Sequence, residues 1–115
     1  MNKNNLITIA IPTMNRAKLL EGAIESIINQ NYENWELLIL DNNSKDDTEK
    51  IVKKFNNEKI KYFRSNETIT MTENWERAFN FSRGEYFIKI DDDCTLFSDF
   101  LDKKIDIFIK KKPTV

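Results

Sequence analysis

Apolar positions follow two alternating rhythms along the chain. Residues 6–11 form a near-continuous apolar run rich in β-branched side chains, closed by Pro12, and read as a buried strand. Over residues 16–30 the apolar positions are Leu19, Leu20, Ala23, Ile24, Ile27 and Ile28, one face of an amphipathic helix. Residues 35–40 repeat the strand pattern and end in Asp41-Asn42-Asn43-Ser44. Ser44 followed by Asp47 resembles a capping box and predicts a second helix with Ile51, Val52 and Phe55 on its inner face. Residues 59–64 alternate and predict a third, more exposed strand. Thr70 followed by Glu73 predicts another capped helix, striped by Trp75, Ala78 and Phe79 and stopping near Gly84. Residues 86–90 read as a fourth strand running into Asp91-Asp92-Asp93. A last helix is predicted over residues 98–110, with Phe100, Leu101, Ile105 and Phe108 inward. Lys110-Lys111-Lys112 suits its C-terminal end, where cations complement the helix dipole.

Strands and helices thus alternate four times with helix-sized connections, which demands parallel strands and right-handed crossovers. The expected class is α/β, a Rossmann-like doubly wound parallel sheet of strand order 3-2-1-4 with the third strand at an edge. Strands one, two and four are apolar on both faces, as a sheet covered on both sides requires. At 115 residues the chain is one domain or part of one.

Composition removes several chemistries. There is no histidine, so imidazole bases, Ser-His-Asp and Cys-His nucleophiles and His-ligated metals are excluded. The single Cys94 excludes an internal disulfide framework and reads as a small buried thiol. Trp35 and Trp75 read as core or cleft-wall aromatics. The formal net charge of −1 offers no global field for nucleic acid or anionic membrane, and no nucleic-acid partner is expected. Apolar runs of about six residues fall far short of the roughly 20 that a membrane span needs, and the polar start lacks a signal-peptide core. The expected location is cytoplasmic, with any membrane association lying outside this chain.

Polar chemistry gathers where the topology puts a ligand. Doubly wound sheets bind ligands outside the carboxyl ends of the strands, where strand order reverses, here between strands one and four. The loop after strand one carries Thr13, Asn15 and Arg16; that after strand two carries Asp41, Asn42 and Asn43; that after strand four carries the aspartate triplet. Three adjacent carboxylates repel one another unless a cation joins them. In an extended segment Asp91 and Asp93 would share a face, and hard oxygen ligands suit magnesium or manganese. Asp41-Asn42-Asn43-Ser44 is also ordinary turn chemistry, and Arg16 reads equally as a phosphate contact or a surface charge at a helix start.

In this order these residues resemble the N-terminal half of a family 2 glycosyltransferase with the GT-A fold. The matching segments are residues 9–16, 26–32, 40–44 with Asp47-Thr48, Asn74-Trp75, and 84–93, spanning roughly residues 6–110. The resemblance makes residues 1–115 the donor-binding half of such a domain. It implies an inverting, metal-dependent transferase using a UDP- or dTDP-sugar donor, with a saccharide or lipid-linked acceptor, in cell-surface polysaccharide biosynthesis. Pro12 and Thr13 would line the base and ribose, and Met14 stands where the family often has a tyrosine near the base. Asn15, Arg16 and Asn43 fall in donor-binding segments, Asp41 would hydrogen-bond the uracil or thymine edge, and Asn66 and Asn74 fall where donor groups are contacted. The triplet would be the DXD motif, with Asp93 and Asp91 on a manganese or magnesium ion and Asp91 or Asp92 toward the ribose or sugar. The family's base for the acceptor hydroxyl is expected beyond Val115, so no catalytic residue is assigned here. The chain alone is expected to be inactive or weakly active, and to self-associate through the uncovered flank of strand four.

Two other classes fit parts of the pattern. Asp91-Asp92-Asp93-Cys94-Thr95 after an apolar strand matches the D-x-D-x-T signature of haloacid-dehalogenase-like phosphohydrolases, with Asp91 as nucleophile. A receiver-like signalling module matches the length alone.

Overall fold

The computed structural model describes residues 5–111, with side chains through residue 107. Four parallel strands, β1 (Ile7–Thr13), β2 (Trp35–Asp41), β3 (Ile60–Arg64) and β4 (Tyr86–Lys89), alternate with α1 (Ala17–Ile28), α2 (Thr48–Lys54), α3 (Met71–Phe81) and α4 (Phe100–Lys111). The sheet order is β3-β2-β1-β4, the expected one. Register runs from Ile7 opposite Trp35 to Thr13 opposite Asp41, and from Ile7 opposite Tyr86 to Ala10 opposite Lys89.

The period-2 alternation of the strands sorts their side chains between two layers. Ile7, Ile9, Ile11, Leu37 and Ile39 face α1 and α4, meeting Leu20, Ile24, Ile27, Leu101 and Ile105 in the main core. Ala10, Leu38 and Leu40 face the other way, against Ala78, with Trp75, Phe63 and Phe87 closing around them. The split follows from right-handed crossovers. The chain steps outward from β1 to β3 with its helices on one face. It then turns back past β2 and β1 to reach β4, which puts α3 on the other.

Some boundaries differ from the expected ones. Leu19 is 48% exposed, because the buried face of α1 is Ala17, Leu20, Ala23, Ile24, Ser26 and Ile27. Ser44 does not cap α2; Asp46 accepts from the Thr48 amide at 3.1 Å. The box at Thr70 and Glu73 forms as read, each side chain accepting the other's backbone N–H. Gly84 is no helix cap, and no glycine has positive φ. It is glycine because a Cβ there would lie 2.6 Å from the Thr8 amide nitrogen. β4 is less covered than β1 or β2, since it is the second edge of the sheet. The expected inward side chain of Phe108 and the terminal lysine side chains lie outside the described ones. Val115, beyond which the acceptor base is expected, also lies outside the described residues. No helix among the described residues is long and apolar enough to cross a membrane.

Candidate functional site

β1 and β4 are hydrogen-bonded neighbours at the point where the strand order reverses, and a cleft opens at their carboxyl ends, flanked by α3. Its volume is about 390 Å³. Pro12, Thr13, Met14 and Arg16 form one wall, Met71 and Asn74 from α3 another, and Asp91, Asp92 and Asp93 the floor and far rim.

The three aspartates occupy different environments. Asp92 is only 4% exposed. Its Oδ2 accepts the Thr13 hydroxyl at 2.9 Å and its Oδ1 accepts Arg16 Nη1 at 2.9 Å. Asp91 and Asp93 are exposed, and Arg16 Nη2 stands 3.7 Å from Asp93 Oδ2. The segment is a turn rather than an extended strand, closed by the Cys94 amide donating to the Asp91 carbonyl at 3.2 Å. The turn still gathers Asp91 and Asp93, whose carboxylate oxygens and the Cys94 sulfur all lie within 4.8 Å of one another. Two exposed carboxylates that close suit a hard divalent cation with water or phosphate completing its shell. The half-buried thiol packs against the main core and is too soft to add to an oxygen set.

The loop after β2 sits beside the cleft rather than in it. Asp41 is fully buried; its Oδ1 accepts the Ser44 amide at 3.0 Å and its Oδ2 accepts the Tyr62 hydroxyl. Burial, reinforced by the Asp41 contact and charge, pushes the Tyr62 phenol well above its ordinary pKa. Asn43 and Asn15 both adopt the left-handed conformation, with φ of 57° and 55°. Asn15 ties the two loops together: its amide donates to Ser44 Oγ at 2.9 Å and its side chain accepts the Lys45 amide at 2.6 Å. Asn43 accepts from Arg64 at 3.3 Å. Asn66 is exposed and does not line the cleft.

Asn74 reaches the cleft wall with both ends of its amide engaged. It donates to the Leu40 carbonyl at 3.1 Å and accepts from Arg77 Nη1 at 3.0 Å, while Arg77 Nη2 donates to the Phe63 carbonyl at 2.8 Å. Burial lowers the Arg77 pKa, and the Asp41 charge opposes that shift. Three contributors escape a reading of the sequence. Met71 lines the cleft only because the α3 box starts the helix there. Tyr62 reaches Asp41 from an edge strand. The Asn42 amide pairs with Ile69 in both directions at 2.9 Å, pinning the approach to α3. The Asp-Asn-Asn-Ser turn flags Asn42 as polar but gives no sign of this partner.

The topology also disposes of the competing classes. The triplet follows the last strand, whereas the phosphohydrolase signature belongs after the first. A receiver-like order places strand one between strands two and three, whereas β2 lies between β3 and β1 here.

The family described as glycosyl transferase family 2 matches residues 8–115. A GalNAc(5)-diNAcBac-PP-undecaprenol β-1,3-glucosyltransferase of Campylobacter jejuni is 36% identical over 98 residues, covering 83% of this chain and 32% of that protein. A UDP-Glc:α-D-GlcNAc-diphosphoundecaprenol β-1,3-glucosyltransferase of Escherichia coli is 27% identical over 105 residues, covering 91% of this chain and 42% of that one. The chain therefore spans from about a third to about two fifths of the length of these relatives. Among solved structures, a Pyrobaculum calidifontis mannosyltransferase in complex with GDP-Man and Mn²⁺ superposes with a TM-score of 0.85 at 23% identity, over 95% of this chain and 33% of that one. Staphylococcus aureus TarS in complex with UDP-GlcNAc gives a TM-score of 0.82 at 20% identity, over 90% of this chain and 31% of that one. Both likenesses are of fold alone, and the match over residues 8–115 shows the family: this chain belongs to glycosyl transferase family 2, built on the GT-A fold.

Proposed function

We propose that the chain provides the donor and metal site of an inverting glycosyltransferase using a nucleoside-diphosphate sugar. One observation carries the reading: two exposed carboxylates, a fixed buried one and a guanidinium line a single cleft at the switch point of the sheet. Asp91 and Asp93 would hold a divalent cation, manganese or magnesium, which when bound supplies charge neutralisation for a diphosphate leaving group. Asp92, saturated by Thr13 and Arg16, holds the turn in shape. Arg16 is the cation of the cleft and meets phosphate oxygens. Pro12, Thr13 and Met14 line the nucleoside end, and Met14 covers a base face as a flexible thioether. Asp41 selects the base, through the 41–44 turn that it holds closed or by releasing an oxygen to a uracil or thymine N–H.

UDP- and dTDP-sugars are the donors favoured by this reading, and the names of the relatives support a lipid-linked saccharide acceptor. The only carboxylates lining the cleft, among the described residues, are the triplet. Those that hold a metal sit on the leaving-group side and are poor bases for an acceptor hydroxyl. The reading therefore keeps the acceptor base beyond Val115, and the chain by itself binds donor and transfers sugar weakly or not at all. Amide chemical-shift mapping with UDP and magnesium tests the site. Residues 13–16, 74 and the turn at 91–94 should move; shifts confined to the far end of the sheet would reject it.

A further inference from the structure

Arg16 occupies the position that a metal would contest. Its Nη1 is anchored on the buried Asp92 Oδ1 at 2.9 Å, and its Nη2 leans toward the exposed Asp93 Oδ2 at 3.7 Å. The two contacts differ in kind. The first partner is fixed, its other oxygen held by Thr13. The second belongs to the Asp91–Asp93 pair, and both Arg16 and Asp93 have side chains 48% exposed. The guanidinium can therefore pivot about Asp92 without leaving the cleft.

We propose that Arg16 couples metal occupancy to nucleotide occupancy, acting as the resident counter-ion of Asp93 until a diphosphate draws it away. This rests on the donor-site reading above and deepens it. A divalent cation between Asp91 and Asp93 meets the guanidinium as a like charge, so metal alone binds weakly. A diphosphate in the cleft offers Nη2 new oxygen partners in a planar geometry that suits a guanidinium. Asp93 is then freed for the metal. Two ligands that each relieve the other's obstacle bind cooperatively, and the coupling factor is the same in both directions. Asp92 stays paired throughout, so the turn need not refold. The Asp46 carboxylate, in the depression adjoining Arg16, is held by the Ala17 and Thr48 amides at the starts of α1 and α2 and leaves this exchange unaltered.

The test is manganese binding to the full chain, read by the electron paramagnetic resonance signal of free Mn²⁺, with and without UDP, after measuring the Mn–UDP complex in protein-free solution. In the parent, UDP should tighten manganese binding by about tenfold or more, within the range of ordinary coupling energies. In Arg16→Gln, manganese alone should bind about 3–10-fold more tightly, as loss of a partly exposed charge contact allows. The tightening by UDP should then shrink below about threefold. Arg16→Lys keeps the charge without the fork and should retain the parent's weak metal-only binding. Arg16 is half-exposed, and thermal melts of both variants report whether the fold is kept. If Arg16→Gln changes manganese affinity equally with and without UDP, the role of Arg16 is overturned while the donor site stands. If the parent binds no manganese under either condition, the metal reading fails and the coupling fails with it.

Discussion

The Thr13 hydroxyl donates to Asp92 Oδ2 at 2.9 Å, joining two residues 79 apart in the chain. The contact exists because β1 and β4 are neighbours. It makes the last residue of β1 a support for the acidic turn. Thr13→Val keeps the shape and removes the donor, leaving the buried carboxylate short of a partner. Such losses cost about 1–3 kcal/mol. Urea denaturation should show that drop for Thr13→Val and little change for Thr13→Ser.

Asp92 and Asp93 should separate under the same substitution. Asp92→Asn breaks contacts to Thr13 and Arg16 in a buried setting and should lower stability. Asp93→Asn, at an exposed position, should leave stability nearly unchanged. It should remove most of the manganese contribution to nucleotide affinity, on the order of 2–4 kcal/mol if a desolvated charge contact is lost. Parallel denaturation and calorimetry on the two variants check the division. Equal affinity of Asp93→Asn and parent for UDP with manganese would reject the metal assignment.

How much of this was legible beforehand depends on how local each cause is. That the strands run parallel follows from alternation and connection length, and the edge place of the third strand follows from its more exposed pattern. The box at Thr70 and Glu73 is a three-residue relationship and forms as read. The triplet announces itself by charge. What escaped reading depends on partners about 20 or more residues away. Ser44 looks like a cap from its neighbours, yet its hydroxyl serves the Asn15 amide. Gly84 looks like a helix stop, but its constraint is the backbone of Thr8 on another strand. Asp91 and Asp93 come together through a tight turn rather than strand alternation, so the expected pairing arises for a different reason.

Tyr62 tests what Asp41 does. Tyr62→Phe deletes the hydroxyl that Asp41 Oδ2 accepts and leaves a fully buried oxygen free. Stability should fall by about 1–3 kcal/mol. If Asp41 contacts the base, the freed oxygen should sharpen preference for UDP over CDP, since cytosine lacks the ring N–H that a carboxylate accepts. If Asp41 only closes its turn, the UDP-to-CDP ratio measured by calorimetry should not move.

Acid should destabilise the chain in a predictable direction. Burial raises the Asp46 pKa, but the Thr48 hydroxyl and the Ala17 and Thr48 amides outweigh it and bring the carboxyl below its ordinary range. The Thr70 amide and hydroxyl lower Glu73 in the same sense. These groups hold protons less tightly folded than unfolded. Their stabilisation is complete above the ordinary carboxylate range, near pH 4, and is lost as pH falls through their folded values. Urea midpoints should therefore fall below about pH 4. Asp46→Asn should lower the midpoint at neutral pH and flatten part of that fall; an identical acid limb in the variant would contradict the assignment.

In the proposed donor site the cleft between β1 and β4 holds a nucleoside diphosphate together with a divalent cation. Calorimetric titration of UDP into this chain, with manganese and again with excess chelator, measures that pairing. Saturable one-to-one binding with manganese is expected, weakening by about tenfold or more when the metal is removed, with the difference abolished in Asp93→Asn. UDP affinity unchanged by chelator, or no UDP binding with manganese present, would contradict it.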